Sequence, residues 1–420
     1  MDERTPLEKP LPRAAGPAVE IVRRLRAAGH EALLAGGCVR DLLLGLTPTD
    51  YDVATDAVPD RVCELFTPTR QVGAQFGVVL VRMQRRWVEV ATFRSEGPYL
   101  DGRHPAQVTF SDARQDALRR DFAINGMFLD PLENVVIDYV DGRQDLAARR
   151  VRAIGEPTAR FHEDHLRMLR AVRLAARLGF EIEPATLAAI RENAPLLAKV
   201  AAERVREELE KMLAHASRRQ AFELLTSTGL LPHLWPQASW PPDHIAAARE
   251  RLMRLPREAS FEATFAALVA DRPIDQVQCV CRDLTFSNAQ RDAVTWLVAH
   301  QADLDEPDAI RLSDLKRRMA HPAFADLRTL VESRYAARPD GAARKARLTI
   351  RLAAVRLDQV QPPPLVTGED LLERGVEPGP IYRQVLEELY TRQLEEELTT
   401  RALALAALDA ALAARSGGGA

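Results

Sequence analysis

Strand-forming segments are confined to the first 150 residues of the 420-residue chain, and this limit decides which folds the sequence can adopt. Short β-rich runs bounded by glycine and polar turn residues predict strands at 31–35, 50–55, 77–84, 87–94, 122–129 and 134–140. Helical spacing predicts helices at 16–29 and 38–45. Glycine, proline and polar residues without periodicity predict a long loop at 95–113. After Val151 nearly every segment has helical spacing. The predicted fold is therefore α+β, with a small mixed sheet and its helices followed by an all-α region.

The charge and composition of the chain exclude several classes of protein. Its 57 Lys and Arg against 60 Asp and Glu leave a net charge of −3, so bulk electrostatics alone would not hold nucleic acid. With 46% hydrophobic and 28% charged residues, the chain is globular rather than disordered. Its four cysteines are too far apart for a zinc site or a disulfide framework, which predicts reduced thiols. The sequence has no export signal and no apolar run of about 18 residues, so we expect a cytoplasmic protein without a membrane partner.

A basic segment interrupts the otherwise acidic chain. Residues 311–351 contain eleven Lys and Arg against four Asp and Glu, a local excess of seven positive charges. Such a segment is typical either of a solvated helical face or of a surface that contacts an RNA backbone. Composition alone leaves both interpretations open.

Two carboxylates stand together at the second predicted strand. Asp50 and Asp52 are two residues apart, so on a strand their side chains point to one face. Mg²⁺ prefers oxygen ligands and often takes one or two carboxylates together with water and substrate phosphates. Upstream, a turn at Gly36 and Gly37 leads into a predicted helix that carries Arg40. Backbone N–H groups and an arginine in this arrangement can hold a triphosphate, although a glycine pair by itself is more typical of a simple tight turn.

Glu89 is a candidate for a third carboxylate. It lies in the second strand of a predicted hairpin, between Val88 and Val90. If this strand lies beside Asp50 and Asp52, Glu89 can supply the additional oxygen that two metal ions about 3.5–4 Å apart would need. The alternative is a solvent-facing strand residue.

The segment 161–177 carries charged residues at helical spacing. Asp164, Arg167 and Arg170 are three residues apart and share one face of the predicted helix, which Arg173 continues. A carboxylate only accepts hydrogen bonds and a guanidinium only donates them. Asp164 and Arg167 together therefore match the Watson–Crick edges of cytosine and adenine, and mismatch those of uracil and guanine. The alternative is a salt bridge on an exposed helix face, worth about a few tenths of a kcal/mol.

A second charged group lies at 119–125, just before and inside a predicted strand. Arg119 and Arg120 are followed by Asp121 and, after three apolar residues, by Asn125. Arg120 suits a phosphate, while Asp121 and Asn125 suit a ribose hydroxyl or the orientation of arginines. By itself the segment is equally typical of a charge cluster on an edge strand.

Together these segments resemble the class II nucleotidyltransferase family of bacterial CCA-adding tRNA nucleotidyltransferases and poly(A) polymerases, which share a polymerase-β-like palm. The matching segments follow the family order at 33–41 with 50–52, 88–94, 119–125, 163–173 and 203–209. The resemblance implies that Asp50, Asp52 and Glu89 are the catalytic metal ligands. It also implies that nucleotide is bound by the remaining candidates, which are Gly36, Gly37, Arg40, Arg119, Arg120, Asp121, Asn125, Asp164, Arg167, Arg170 and Arg173. Among them, Asp164 and Arg167 would read the base.

The resemblance also implies a division of the chain into four parts. These are a nucleotidyltransferase head at 1–150, a helical base-reading neck at 151–215, an RNA-binding helical body at 216–360 and a tRNA-binding helical tail at 361–420. The tail segment 366–389 resembles the tRNA-holding segment of the CCA-adding branch. Proline-rich stretches at 232–242 and 361–364 mark joints between helical parts.

The motif at 73–77, Gly-Ala-Gln-Phe-Gly, favours the CCA-adding branch, because poly(A) polymerases of the family usually continue with Gly-Arg-Arg-Phe. The expected activity is template-independent addition of C, C and A to tRNA from CTP and ATP. It would use two Mg²⁺ ions and release pyrophosphate. The expected partners are the tRNA 3′ end and acceptor stem, and the sequence does not indicate an oligomeric state.

Several alternatives remain at this level. An enzyme that adds only CC or only A would differ in the loop 95–113, and a poly(A) polymerase would extend RNA 3′ ends. A catalytically inactive RNA-binding homologue would lack a metal carboxylate, and none is missing. A transferase acting on a protein or small-molecule hydroxyl would not need the basic segment or the tail.

Overall fold

The computed structural model describes residues 3–71, 77–97, 108–235 and 239–416. The chain folds into two compact units, one of Met1–Trp240 with Asp283–Thr285 and one of Pro241–Arg282 with Phe286–Ala420. Most of the motif at 73–77 lies outside the described residues, and so do residues 98–107 of the predicted loop 95–113. The described ends of that segment differ from the prediction of a loop, because Arg94–Glu96 and Val108–Phe110 pair as antiparallel strands and a helix begins at Ala113. The finer division into head, neck, body and tail stays a prediction.

The first unit is built on a mixed sheet, as predicted. The strands of the described residues are β1 (Arg4–Pro6), β2 (Ala32–Ala35), β3 (Asp52–Thr55), β4 (Thr69–Gln71), β5 (Val78–Met83), β6 (Arg86–Thr92), β7 (Arg94–Glu96), β8 (Val108–Phe110), β9 (Phe128–Asp130), β10 (Val135–Ile137), β11 (Arg150–Val151) and β12 (Glu181–Ile182). Eight of them form one sheet in the order β1-β10-β9-β2-β3-β6-β5-β4. Strands β3 and β6 are parallel, and the other pairs of this sheet are antiparallel. Two small sheets, β7 with β8 and β11 with β12, complete the unit.

The register of the central strands places small side chains and carboxylates on one face. Ala35 lies opposite Asp52 across β2 and β3, and Val53 lies beside Val90 across β3 and β6. Because side chains alternate along a strand, Asp52 and Glu89 share a face. The other face, which includes Val53 and Val90, is buried.

Helices cover the sheet and continue the first unit. They are α1 (Gly16–Ala27), α2 (Gly37–Leu43), α3 (Pro59–Leu65), α4 (Ala113–Leu118), α5 (Gly142–Ala147), α6 (Pro157–Glu163), α7 (Arg167–Leu178), α8 (Pro184–Asn193), α9 (Ala202–Leu213), α10 (Arg218–Ser227) and α11 (Leu231–Leu234). Helix α1 packs on β2, β3, β5 and β6. Its Ile21, Val22 and Leu25 are fully buried, since the predicted helical spacing puts them on one side of the helix.

The second unit is helical throughout its described residues. Its helices are α12 (Pro242–Arg254), α13 (Phe261–Leu268), α14 (Ile274–Asp283), α15 (Asn288–His300), α16 (Leu312–Met319), α17 (Phe324–Tyr335), α18 (Gly341–Ala354), α19 (Gly368–Leu372), α20 (Pro380–Leu394) and α21 (Arg401–Ser416). Phe261, Phe265 and Phe286 form an aromatic cluster with ring centres 4.9 to 5.7 Å apart. Within the described ranges, no helix is both long enough and apolar enough to cross a membrane. None of the four cysteines forms a disulfide.

Two predicted strands differ from the structure. Residues 122–129 are not one strand, because Phe122 makes an isolated bridge with Ala153, residues Ala123–Asn125 form a 3-10 helix, and β9 starts at Phe128. Strand β3 begins at Asp52, so Asp50 lies in the segment before it. The tertiary pairing with Ala153 overrides the local β propensity at 122–129.

The predicted helix over 161–177 is broken. Helix α6 ends at Glu163, Asp164 has the extended angles φ −145° and ψ 104°, and α7 begins at Arg167. The Asp164 carboxylate accepts a hydrogen bond from the Leu166 backbone N–H at 3.1 Å. This local bond competes with the helical backbone pattern, which explains why the helix is interrupted at an aspartate.

The β5–β6 turn also shifts by one residue from its prediction. Gln84 and Arg85 have positive φ angles of 48° and 65°, whereas Arg86 opens strand β6. A two-residue turn with both φ angles positive matches the twist of the flanking strands.

Candidate active site

A pocket of about 690 Å³ opens on the sheet face that carries Asp52 and Glu89. Ala35, Ala54 and Ala91 form part of its lining, and their small side chains leave space above the strands. The predicted site residues that line it are Gly36, Gly37, Asp52, Glu89, Arg119, Arg120, Asp121, Asn125, Asp164, Arg167 and Arg170. The tertiary structure therefore gathers segments that are separated by more than a hundred positions in the chain.

Three predicted site residues are not part of this lining. Asp50 is exposed just before β3, and Arg173 pairs with Glu208. Arg40 is buried, with 7% of its surface exposed, and donates to Asp41 and to Asn125 Oδ1 at 2.7 Å. Arg40 thus holds Asn125, a pocket residue, in place.

The strand order confirms the condition placed on Glu89. Because β3 and β6 are parallel neighbours with Val53 beside Val90, the preceding residues Asp52 and Glu89 lie side by side on the pocket face. Burial, then the charges of Glu89 and Asp50, raise the pKa of Asp52 to about 6, and Arg120 only partly opposes this shift. Glu89 and Asp50 are therefore both close enough to repel the Asp52 carboxylate.

The cluster of carboxylates around Asp52 and Glu89 suits a divalent cation that is also held by oxygens of the substrate. Bringing Asp52 and Glu89 together costs electrostatic free energy that a bound Mg²⁺ would offset. Among the described residues, no group of three His, Cys, Asp or Glu side chains is placed to hold a metal ion by itself. Such a site suits Mg²⁺, which keeps several ligands from water and phosphates.

The glycine turn brings backbone and arginine into close approach. Gly36 precedes α2 with φ +75°, and a Cβ at this position would lie 3.2 Å from Arg120 Nη1. A Cβ on Gly37 would lie 3.5 Å from Arg40 Nη2. Only glycine combines this backbone angle with the space that the Arg120 guanidinium occupies.

Asp116 orients the two arginines on the opposite wall. Arg119 donates to Asp116 Oδ1 at 2.9 and 2.6 Å, and Arg120 donates to Oδ2 at 3.1 and 2.8 Å. Burial alone would raise the pKa of Asp116, but Arg120 and Arg119 outweigh it and hold the pKa below its usual value. The Arg120 guanidinium also stacks on Phe128, 5.0 Å from the ring centre. Both cations are thus fixed in direction before any anion binds.

The two candidate base-reading residues each have a protein partner. Asp164 accepts two hydrogen bonds from Arg204, at 3.1 and 2.8 Å, and Arg167 donates to Glu163. The alternative of an exposed salt bridge along one helix is wrong, because Arg167 is 8% exposed and Asp164 lies outside α7. Both side chains line the pocket and are oriented by neighbours on other elements.

Asp121 and Arg170 form a further ion pair in the pocket. Arg170 donates to Asp121 Oδ2 through Nε at 2.8 Å and Nη2 at 2.6 Å. Burial alone would raise the pKa of Asp121, but Arg170 outweighs it and holds the pKa below its usual value. The pair ties the segment after α4 to α7, the two walls of the pocket.

Sequence reasoning assigned no role to three residues of this site. Arg94 and Arg204 line the pocket, and Asp116 supports its arginines. Arg94 and Arg204 belong to the segments 88–94 and 203–209 that carry the family resemblance, so a signal was present. Asp116 had none, because its partners become apparent only in the folded chain.

The basic side chains of segment 311–351 have partners within the second unit. Every one of its Lys and Arg side chains has a carboxylate or backbone carbonyl partner. Much of the compensation comes from the acidic segment just before it, in which Asp303, Asp305, Glu306 and Asp308 pair with five of the arginines. The local charge excess therefore does not by itself indicate an RNA surface.

Two family descriptions match the chain. Residues 32–152 match the "Poly A polymerase head domain", and residues 179–240 match the "Probable RNA and SrmB- binding site of polymerase A". The first match contains β2, β3, β6 and the arginines on Asp116. Fold and pocket together thus define a nucleotidyltransferase of the poly(A) polymerase type.

Relatives resolve this class further. A CCA-adding enzyme of Levilactobacillus brevis is 34% identical over 409 residues, covering 94% of this chain and 98% of its own. A CCA-adding enzyme of Geobacillus thermodenitrificans is 38% identical over 312 residues, which cover 72% of this chain and 76% of that protein. The crystal structure of the Bacillus stearothermophilus CCA-adding enzyme in complex with CTP has a TM-score of 0.83 at 29% identity, covering 97% of this chain and 100% of that one. The Thermotoga maritima CCA-adding enzyme complexed with tRNA shares the fold, with a TM-score of 0.67 at 18% identity over 98% of this chain and all of its own.

The chain belongs to the CCA-adding enzyme family and is a tRNA nucleotidyltransferase. The predicted family and enzyme class are confirmed. The relatives do not favour a specialised CC-adding or A-adding enzyme or a poly(A) polymerase.

Proposed function

We propose that this protein completes the 3′ end of tRNA by adding C, C and A in turn, using one pocket for CTP and ATP. The observation that carries the proposal is the convergence of two groups in that pocket. One is the carboxylate pair Asp52 and Glu89, and the other is the donor–acceptor pair Arg167 and Asp164. A metal-binding pair beside a base-reading pair suits a transferase that selects its nucleotide without a template. Such an enzyme would act in the cytoplasm, where tRNA matures.

The triphosphate would lie between the glycine turn and the arginines held by Asp116. Arg119 and Arg120, whose Nε and Nη2 atoms donate to Asp116, would turn their remaining N–H groups to phosphate oxygens, and Gly36 and Gly37 permit the close approach. Because Asp116 already orients both guanidinium groups, little side-chain entropy is lost when the anion binds.

The base would be read by Asp164 and Arg167. The Asp164 carboxylate accepts from the exocyclic amino group of cytosine or adenine, and Arg167 donates to the adjacent ring nitrogen. Uracil and guanine present a carbonyl and an N–H at these places. The Asp164 carboxylate would then face the carbonyl, and the Arg167 N–H would face the N–H, so neither hydrogen bond could form. Arg170, which is paired with Asp121, lies on the same helix as Arg167. It would fix the orientation of Arg167 or contact the triphosphate.

Asp52 and Glu89, with Asp50 from the segment before β3, would hold Mg²⁺. When bound, Mg²⁺ supplies activation of the tRNA 3′-hydroxyl and charge neutralisation on the triphosphate. The residues of the chain position the α-phosphorus for in-line attack, and Arg119 and Arg120 stabilise the charge that develops on the departing pyrophosphate.

The test uses three tRNA transcripts that end before CCA, after C and after CC, incubated with CTP, ATP and Mg²⁺. Completion of all three to CCA, with UTP and GTP rejected, is the expected result. Asp52→Ala should abolish extension, whereas Asp56→Ala, the same change at an exposed aspartate just after β3, should leave it intact. Addition of CC only, of A only or of a long A tail would contradict the proposal, and so would a failure to extend any transcript.

A further inference from the structure

The β5–β6 hairpin carries an exposed aromatic and cationic group, here called the Trp87 patch and consisting of Trp87, Arg70 and Arg82. The Trp87 side chain is 38% exposed, and the Arg70 guanidinium carbon lies 4.5 Å from its ring centre. Arg82 lies directly opposite Trp87 in the register of the hairpin. Among the described residues, no carboxylate pairs with any of the three, so the patch presents uncompensated positive charge around an aromatic ring.

The patch lies on the same sheet face as the candidate metal ligands. Trp87 and Glu89 are two residues apart on β6, so their side chains point to one face, at a Cα separation of roughly 7 Å. The pocket lining continues along β6 in the opposite direction, through Ala91 and Thr92. Along this strand, the carboxylates therefore lie between the nucleotide pocket and the Trp87 patch.

This order matters for the geometry of nucleotidyl transfer. In an in-line displacement the attacking oxygen and the leaving pyrophosphate are on opposite sides of the α-phosphorus. If the incoming nucleotide fills the pocket, the attacking 3′-hydroxyl must approach from the other side of Glu89. The Trp87 patch lies on that side.

The chemistry of the patch suits single-stranded RNA. Bases without a pairing partner stack on aromatic side chains, and arginines bind the phosphates between them. We propose that the Trp87 patch holds the single-stranded 3′ end of tRNA, with a terminal base stacked on Trp87 and its phosphates bound by Arg70 and Arg82. This inference rests on the proposed function, because it assigns the second substrate of the same site.

A purely structural role is the competing explanation, since an Arg–Trp contact also ties the edge strand β4 to the hairpin. The two roles differ in what they change. A platform for RNA affects the KM for tRNA and leaves the KM for ATP unaltered, whereas loss of edge-strand packing lowers the thermal midpoint and affects both substrates alike.

The test compares Trp87→Ala and Trp87→Phe with wild type, using tRNA ending in CC and saturating ATP. Loss of one stacked base predicts that Trp87→Ala raises the KM for tRNA about 5- to 100-fold, and Trp87→Phe should restore most of it. The KM for ATP should stay within about twofold of the wild-type value, a change much smaller than the loss of one stacking contact would cause. Arg4→Ala, which removes an exposed arginine from β1 at the opposite edge of the sheet, is the matched control and should leave all constants unchanged.

Two further measurements test the contacts directly. Arg70→Ala with Arg82→Ala should lower the slope of log KM for tRNA against log salt by about 1.4, as expected for two lost phosphate contacts on a single strand. The fluorescence of a tRNA with 2-aminopurine as its 3′-terminal base should be quenched on binding wild type and not on binding Trp87→Ala.

Clear outcomes would overturn the inference. If wild type extends tRNA but Trp87→Ala keeps the wild-type KM for tRNA and the wild-type quenching, the patch does not hold the 3′ end. A lower thermal midpoint with equal losses for tRNA and ATP assigns the edge-strand role instead. If wild type extends no tRNA, the proposed function fails, and the quenching experiment still decides whether RNA binds the patch.

Discussion

Replacing Arg204 by alanine tests whether the orientation of Asp164 sets the choice of base. Arg204 lies on α9 and donates two hydrogen bonds to the Asp164 carboxylate, at 3.1 and 2.8 Å. The two side chains are 24% and 17% exposed. Asp164 has no helical backbone to fix it, because it lies in the break between α6 and α7. Without Arg204 the carboxylate would keep only its local bond to the Leu166 N–H.

The expected magnitude follows from this geometry. Hydrogen bonds to charged groups contribute about 1.5–3 kcal/mol, and the partial exposure of both partners reduces their joint value to about 1–2 kcal/mol. At about 1.4 kcal/mol per factor of ten, kcat/KM for CTP and ATP should fall about 5- to 30-fold. Incorporation of UTP and GTP should fall less, since these bases never gained from the ordered carboxylate. Discrimination should therefore weaken.

The assay measures kcat/KM for all four nucleotides on tRNA transcripts ending after C and after CC. Arg206→Ala is the matched control, because Arg206 lies two residues further along α9 and contacts Glu210 and the Thr285 carbonyl instead. Arg204→Lys should give an intermediate result, because lysine offers a point charge without a two-pronged contact. If Arg204→Ala is folded and keeps the wild-type ratio of ATP to GTP incorporation, Arg204 does not act through Asp164.

Three further predictions concern charge and backbone at other positions. Asp52→Asn should abolish activity yet raise the thermal midpoint of the metal-free protein at pH 7. Burial and neighbouring carboxylates raise the pKa of Asp52 to about 6, above its unfolded value, so its contribution to stability is lost as pH rises from about 4 to 6. Thermal melts across this range check it, and an unchanged slope in Asp52→Asn would contradict it. Gly36→Ala should cost about 1–3 kcal/mol of stability and raise the KM for nucleotide, since φ +75° with ψ −134° is a conformation that side chains rarely adopt and the new Cβ would lie 3.2 Å from Arg120 Nη1. Denaturant unfolding and initial rates measure the two effects, and wild-type values would exclude strain at this turn. Lys316→Ala should destabilise the second unit by about 2–4 kcal/mol, because the buried ammonium donates to the Leu394 carbonyl and to Glu396. Lys316→Met should cost less in denaturant unfolding because it refills the volume, and equal losses would show that the polar contacts alone matter.

Much of the fold could be predicted from local pattern. Period-two alternation and turn residues located β2, β3, β5 and β6 within a residue or two, and helical spacing located α1 and the helical second half. The failures have physical causes. Phe122 pairs with Ala153, thirty-one positions further along, and the Asp164 side chain interrupts a helix by binding its own backbone. Neither contact changes the periodicity from which the elements were read.

For the active site, the sequence by itself determined which residue types were available, and it placed Asp52 and Glu89 in strands and Arg167 and Arg170 on one helix, but it wrongly placed Asp50 in the strand and Asp164 on that helix. The glycine pair before α2 and the spacing of Arg167 and Arg170 required only local geometry. What the charged side chains would contact was decided by the tertiary structure. Asp164 meets Arg204, which is forty positions away, and Asp116 holds Arg119 and Arg120.

The same division applies to the basic segment 311–351. The sequence marks it as positive, and the fold pairs most of its cations with carboxylates, among them Asp303, Asp305, Glu306, Asp308, Glu387 and Glu396. Charge and periodicity are properties of neighbouring residues, so they can be read along the chain. Ion pairing and pKa depend on which distant groups packing brings within about 4 Å and how much water it excludes, so only the folded structure decides them.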